Sequence, residues 1–322
     1  MVKVLDQFLN GQYAIYNADC IETMKGLPDA SIHYSIYSPP FEGLYVYSDN
    51  PRDLSNSAKD QFWRHYEYVI NDVCRILKPG RLCSVHCTQL PATQMLNGFA
   101  GMQDFRGDII RRHQKIGFIY HSEVVIRKDP HTTLKLTKTK GLYHKNIIKD
   151  GAIARNSWAD YICTFLKPGP NLEPIVKKLK TYYGDDMTDE EHTELVNANN
   201  KIAKYSPEDA KSMEIWARYG EPIWTDIDRT DVLSRYEARD EPDERHLTPL
   251  QLTAIRRYID LWTNPGEVVF SPFMGIGSAG YVALELGRRF IGVELKPSYF
   301  VQAKKNLHSM ESQIKRREFL NG

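Results

Sequence analysis

A glycine-rich turn late in the chain, Gly275-Ile-Gly277-Ser-Ala-Gly280, constrains the fold more than any other stretch. Before it, Val268 to Ser271 reads as a short buried strand. After it, the residues to Leu286 read as a helix and Arg288 to Val293 as a second strand with Glu294 at its end. Only one further element follows, a helix with Pro297 well placed at its first position and running through Leu307. The other strands therefore lie upstream. A complete sheet requires a permuted order, in which the chain enters the sheet midway and ends on this turn.

Upstream, Ile32 to Tyr37 is dense enough in β-favouring residues to be covered on both faces, and Ser38-Pro39-Pro40-Phe41 stops it. Neither proline has an N–H, so the strand end carries carbonyl acceptors beside the Ser38 hydroxyl, with an aromatic ring next in line. A planar base could stack on Phe41 while its exocyclic amino hydrogens bond Ser38 and the Pro39 carbonyl. A proline-capped strand entering an ordinary turn explains the same four residues. The glycine turn is also double-edged. G-x-G-x-x-G after a strand, with an acid at the next strand end, is the dinucleotide fingerprint, yet a site for S-adenosylmethionine needs the same close backbone approach and the same acid without a pyrophosphate. The absence of several further strands after Glu294 favours the second.

The rest of the chain supplies scaffold and charge. With 322 residues, 42% of them hydrophobic, it can bury a large core. No stretch approaches 18 apolar residues, and five cysteines without zinc spacing predict neither a disulfide framework nor a metal. The order predicted is a strand from Gln12 to Ala18 ending at Asp19-Cys20; a helix carrying Phe62, Tyr66, Val69, Val73 and Ile76; a strand from Arg81 to Cys87; a helix from Asp104 to Lys115; and strands from Phe118 to Lys128 and Asp160 to Lys167. Asp19 is either a helix N-cap or a ligand acceptor. A helix opened by His246-Leu-Thr-Pro249 carries Leu252, Ile255, Ile259 and Trp262 on one face. The net charge of +1 conceals residues 111–150, where ten Lys and Arg face three acids. Residues 129–158 read as a basic loop, with Lys128, Lys135, Lys138, Lys140 and Lys145 suited to phosphate contact. Residues 171–221 are charged and helical in pattern, an insert.

Five features in this permuted order resemble the β-group of DNA N6-adenine/N4-cytosine amino-methyltransferases of restriction–modification systems and bacteriophages: Asp19-Cys20, Ser38-Pro39-Pro40-Phe41, an insert over 168–232, His246 to Leu250, and Phe273-Met274-Gly275-Ile-Gly277 with Glu294. The resemblance implies an α/β, Rossmann-like S-adenosylmethionine-dependent methyltransferase fold. It has a mostly parallel seven-stranded sheet, helices on both faces and a small mainly helical insert. It divides the chain into a catalytic half (1–167), a target-recognition insert (168–232) and a cofactor half (233–322). S-Adenosyl-L-methionine would lie against Asp19, Cys20, His246, Thr248, Phe273, Met274, Gly275, Gly277, Ser278 and Glu294. Double-stranded DNA is the implied partner, with room for a homodimer and a cognate restriction endonuclease, in the cytoplasm of a bacterial cell or phage-infected host. Ser271 stands where relatives often carry Asp, and Pro249-Leu-Gln replaces their Gln-Lys-Pro.

Ser38 and the Pro39 carbonyl, accepting from the amino group of a flipped base, would draw its nitrogen towards tetrahedral geometry and stabilise the charge that develops on methyl transfer. Within the family, Ser at the first motif position leans to cytosine N4 and Asp to adenine N6. The competing classes are adenine N6 transfer, an inactive DNA-binding subunit, methylation of RNA or protein glutamine, and a nicotinamide oxidoreductase.

Overall fold

The computed structural model describes residues 4–41, 59–92, 94–136, 141–186, 188, 190–191, 193–194, 205–233 and 250–321. In chain order the elements are β1 (Val4–Leu9), β2 (Tyr13–Ala18), α1 (Cys20–Met24), β3 (Ile32–Tyr37), α2 (Lys59–Ile76), β4 (Leu77–Thr88), β5 (Leu90–Ala92), α3 (Gln94–Asn97) and β6 (Gly101–Gln103). They continue with α4 (Phe105–Ile116), β7 (Ile119–Ile126), α5 (Pro130–Leu136), α6 (His144–Asp150), β8 (Asp160–Leu166), α7 (Pro207–Tyr219), β9 (Ile223–Trp224), α8 (Leu252–Trp262), β10 (Val268–Ser271), α9 (Ser278–Glu285), β11 (Arg289–Glu294) and α10 (Pro297–Asn321).

The main sheet runs β1-β2-β11-β10-β3-β4-β8-β7-β9. The late strands β10 and β11 are therefore inserted between β2 and β3, all in parallel pairing. This is the permuted sheet that the position of the glycine turn demands. Strand β8 runs antiparallel to both β4 and β7. Among the described residues the main sheet has nine strands where seven are expected. The two additions are β1, which pairs antiparallel with β2, and the two-residue β9, which pairs with β7.

Each face is covered because the strands are apolar on both sides. On one face Phe62, Tyr66, Val69, Val73 and Ile76 of α2, spaced by three and four, pack with Ile109 of α4 over Cys83, Val85, Phe165, Val268 and Phe270. On the other, Ile255 and Ile259 of α8, Val282 of α9 and Leu307 of α10 cover Tyr34, Ile36, Val269 and Phe290. Among the described residues no helix is long and apolar enough to cross a membrane.

Several boundaries differ from the sequence prediction. Residues 129–158, read as a loop, contain α5 and α6. Asp129-Pro130, read as a strand stop, also starts a helix, since the Asp129 carbonyl accepts from the Thr133 N–H at 3.1 Å and the Thr133 hydroxyl at 3.0 Å. Strand β4 begins at Leu77, with Gly80 at φ +69 in its irregular start. Helix α8 opens at Leu252 with Gln251 as N-cap, whereas 246–249 lie outside the described residues. In the insert, α7 starts where Ser206-Pro207-Glu208 predicts, with the Ser206 hydroxyl accepting from the Asp209 N–H at 3.2 Å. Residues 168–182 of the insert form no helix.

Two buried arginines tie these parts together. Arg81 on β4 bonds the His33 carbonyl at 3.0 Å, the Glu173 carbonyl at 2.8 Å and the Glu267 carboxylate. His33, Glu173 and Glu267 form a compact cluster of potential metal ligands, yet Arg81 and Lys78 already neutralise its carboxylates. Arg257 on α8 holds the insert, donating to the Tyr183 carbonyl at 2.6 Å and Asp226 at 2.5 Å, with Trp224 under its guanidinium.

One core histidine makes stability sensitive to pH. His113 on α4 is fully buried, stacked on Phe165 at 4.0 Å, with Nδ1 against the Ile109 carbonyl at 2.8 Å. Burial pushes its pKa down to about 4. The unfolded chain protonates near pH 6.5 and the folded one does not. Between these values the unfolded state binds more protons, so stability falls as pH falls through the window, by up to about 3 kcal/mol. The thermal midpoint should drop between pH 7 and pH 4.5, and His113→Phe should flatten that slope. An equal slope in the variant would remove His113 as its source.

Candidate functional site

Five parallel strands, β2, β11, β10, β3 and β4, end on one edge of the sheet, and β8 starts there. Residues predicted from distant parts of the sequence meet on this edge. Strand β10 pairs with β3 in the register Val269 to Tyr34 and Phe270 to Ser35, so Ser38 and the Phe273 turn emerge side by side. The Tyr37 and Phe273 rings touch edge to face at 5.8 Å.

The turn after β10 is shaped by backbone. Met274 N–H donates to the Val293 carbonyl at 2.9 Å, anchoring the turn on β11. Gly275 and Gly277 take φ +55 and +89, in the left-handed region that disfavours other residues. At Gly277, the N-cap of α9, an added Cβ would also stand 3.2 Å from the Ala303 side chain, so α10 packs close behind the turn. Ser278, the first residue of α9, is buried.

Glu294, at the end of β11, accepts from the Gly275 N–H at 2.9 Å and the Lys296 N–H at 2.9 Å, one on each oxygen. Backbone N–H groups on both oxygens thus fix the orientation of this acid at the strand end. On the neighbouring strand, Asn17 donates to the Glu294 and Leu295 carbonyls at 2.8 and 3.0 Å. Asp19 then caps α1, accepting from the Ile21 and Glu22 N–H groups at 2.9 and 3.1 Å through Oδ1. The N-cap role weighed for Asp19 is thus present, at the same edge as Glu294. Cys20 opens α1, and burial, with Asp19 beside it, pushes its thiol up, which keeps it neutral.

On the other side of Ser38 lies a polar line that the motifs do not announce. Ser38 Oγ is 3.2 Å from His86 Nδ1 on β4. His86 Nε2 stands 3.3 Å from Asp160 Oδ2 on β8, close but too poorly aligned for a full hydrogen bond. Asp160 Oδ2 in turn pairs with Lys128 Nζ at 2.6 Å, beyond the end of β7. Both His86 and Asp160 are buried, and Asp160 Oδ1 makes no hydrogen bond among the described residues. Burial alone would raise the Asp160 carboxyl, but the Lys128 ammonium and the His86 ring overcome it and hold the group below the usual carboxylate range.

The remaining predicted residues are placed unevenly. Phe41 is buried with its ring edge-on to Phe105 at 6.0 Å, so a base stacking on it needs the ring uncovered. Pro39 is buried and Pro40 half-buried. Lys145 is exposed on α6, Lys135 lies within α5, and Lys128 is occupied by Asp160. His246, Thr248, Lys138 and Lys140 lie outside the described residues. His86 and Asp160 were not singled out. Their only signal is a polar residue at the end or start of an otherwise apolar buried strand.

Known proteins resemble this chain in sequence or in fold. The chain is 39% identical over 66 residues to the type II methyltransferase M1.MboII of Moraxella bovis, a match covering 20% of this chain and 25% of that one. The chain thus spans about a quarter of that relative's length. Its fold is similar to that of a protein from Thermus thermophilus, provisionally described as a DNA modification methylase and crystallised with S-adenosyl-L-methionine. That similarity has a TM-score of 0.58 and 23% identity, and covers 91% of this chain and 93% of that one. The cytosine-N4-specific PvuII DNA methyltransferase superposes with a TM-score of 0.58 at 15% identity, covering 94% and 90%. The model of the N6/N4 DNA methylase family matches residues 32–305, from the strand before Ser38 to the last helix, and the chain belongs to that family.

Proposed function

We propose that the protein is an S-adenosylmethionine-dependent DNA methyltransferase that modifies the exocyclic amino group of a flipped base, with cytosine N4 as the target. The observation that carries this is the adjacency of two strand ends in one sheet: the amino-accepting Ser38-Pro39 end of β3 beside the Phe273–Gly277 turn of β10. Family membership, and the similarity to proteins described as DNA methylases, support it.

The bound cofactor supplies an electrophilic methyl group on sulfonium sulfur. The chain's own residues do the rest. Glu294, held by two backbone N–H groups, would accept from the ribose hydroxyls, and Asp19 would sit near the adenine amino group. Cys20, Phe273, Met274, Gly275, Gly277 and Ser278 would line the site, with His246 and Thr248 towards the methionine end. Ser38 Oγ and the Pro39 carbonyl would accept from the target amino group, and Phe41, once uncovered, would stack on the base. An amino nitrogen conjugated to the ring is a weak nucleophile. Two fixed acceptors favour its tetrahedral form and stabilise positive charge as the N–CH3 bond forms.

In the same proposal, residues 1–167 form the catalytic half, 168–232 recognise the target sequence and 233–322 form the cofactor half. The exposed Lys145 and Lys149 of α6, with Lys135, Lys138 and Lys140, would contact phosphates. The setting is the cytoplasm of a bacterial cell or phage-infected host, as part of restriction–modification, with a cognate endonuclease and a homodimer as the partners expected of such a system.

Nucleosides from the DNA of a methylation-free host expressing the protein should contain N4-methylcytosine by mass spectrometry. Ser38→Ala should lower the methyl-transfer rate by about 100-fold or more. N6-methyladenine instead would overturn the base assignment, and no methylated base despite cofactor binding would overturn the DNA-modifying role. By calorimetry, Glu294→Gln should weaken S-adenosylmethionine binding by roughly 10- to 100-fold, since a hydrogen bond to a charged group contributes about 1.5–3 kcal/mol. Unchanged affinity would remove Glu294 from the ribose site. Lys145→Ala should make the dependence of DNA affinity on salt shallower by about one counterion.

A further inference from the structure

The polar line beside Ser38 follows from register. Tyr37 on β3 pairs with Val85 on β4, so the next residues, Ser38 and His86, stand side by side. His86 pairs with Ile162 on β8, and Asp160 lies two residues from Ile162, on the same face and within diagonal reach. Ile126 on β7 pairs with Asp160, which brings Lys128 alongside. Four neighbouring strands thus present Ser38, His86, Asp160 and Lys128 in sequence across the sheet.

A hydroxyl has one proton and two lone pairs, and which way the proton points decides whether Ser38 can accept from an amine. Anionic Asp160 selects the His86 tautomer with its proton on Nε2, leaving the Nδ1 lone pair for the Ser38 hydroxyl. With its proton directed into the sheet, Ser38 Oγ keeps both lone pairs for the target. His86 Nε2 and Asp160 Oδ1 have no hydrogen bond among the described residues, and both lie on this line beside Ser38.

We propose that His86, oriented by Asp160, is a positioning residue that fixes Ser38 as an acceptor and receives, through Ser38, the proton released after methyl transfer. In balance, the S–CH3 bond breaks with its electron pair left on sulfur while the amino lone pair forms the N–CH3 bond. The surplus proton on nitrogen passes to Ser38 Oγ as the hydroxyl proton moves to His86 Nδ1. The imidazolium, stabilised by Asp160, then returns the proton to solvent. Lys128 holds Asp160 ionised, so the proton rests on His86 and not on the carboxylate. The inference rests on the assignment of Ser38 as the amino acceptor.

Single-turnover methylation of duplex DNA tests it with His86→Leu, His86→Asn, Ser38→Ala and the Ser38→Ala/His86→Leu double variant. His86→Leu should slow methyl transfer roughly 10- to 100-fold while cofactor and DNA affinities stay within about 3-fold. His86→Asn, whose amide oxygen can accept from Ser38 but cannot take up its proton, should recover only part of the rate. In the Ser38→Ala background, His86→Leu should cost less than about 3-fold, because its effect passes through the hydroxyl. Equal losses in both backgrounds, no recovery with Asn, or an unslowed His86→Leu would overturn the positioning role. A Ser38→Ala variant as fast as the parent would instead overturn the acceptor assignment beneath it. Independently of activity, 15N NMR of the His86 ring should show the proton on Nε2, and the opposite tautomer would refute the orientation.

Discussion

Everything at the site depends on β3 being clamped in parallel between β10 and β4. The pairing with β10 joins an early segment to a late one, placing the Ser38 end beside the Phe273 turn. The pairing with β4 sets Ser38 against His86. A shift of one residue in either register would turn every side chain of β3 to the opposite face, removing the hydroxyl from the edge where the turn and the acid of β11 converge. The two apolar faces enforce that register, since Tyr34 and Ile36 pack under one layer of helices and Tyr37 under the other.

The two ends of the sheet use buried charge differently. At the Arg81 end, the guanidinium bonds carbonyls of β3 and the insert together with the Glu267 carboxylate, joining four segments. Its donors are well used, and the cluster is a strut. At the Ser38 end, the chain from His86 to Lys128 leaves atoms incompletely bonded. These groups are held in place by the register of the surrounding strands.

A second fully buried arginine fastens the insert to the core, beside Arg81 and the pairing of β9 with β7. Arg257 is surrounded by Tyr182, Tyr219 and Trp224, with Asp226 as its counter-ion. The segment that follows β8 is thereby fixed to α8, which lies on the sheet face shared by His86 and Asp160. A different stretch, α6, carries the exposed Lys145 and Lys149 beyond β7.

Much of this was legible in the sequence because it is local. Alternation and three-four spacing mark β3, α2, α8 and β10; proline and glycine mark where they stop; and the many strand patterns upstream of the glycine turn agree with the permuted order of the sheet. Ser38, Phe273 and Glu294 were legible because each ends a strand in a recognisable tripeptide or turn. Helices α5 and α6 were not, since a Lys/Thr-rich stretch has weak intrinsic preference and Asp-Pro serves as strand stop and helix start alike. The outer strand β9 depends on β7, far earlier in the chain, whereas β1 pairs with its sequence neighbour β2 at the sheet edge. His86 and Asp160 looked like single polar residues in apolar strands, and nothing in their spacing links them to each other or to Ser38. The sequence by itself determined the central strands β2, β3, β10 and β11, where they end, and that Ser38, Phe273 and Glu294 stand at those ends. Only the tertiary structure decided which ends are neighbours, because hydrogen-bond register between strands is set by the packing of both sheet faces at once and is invisible to any local pattern.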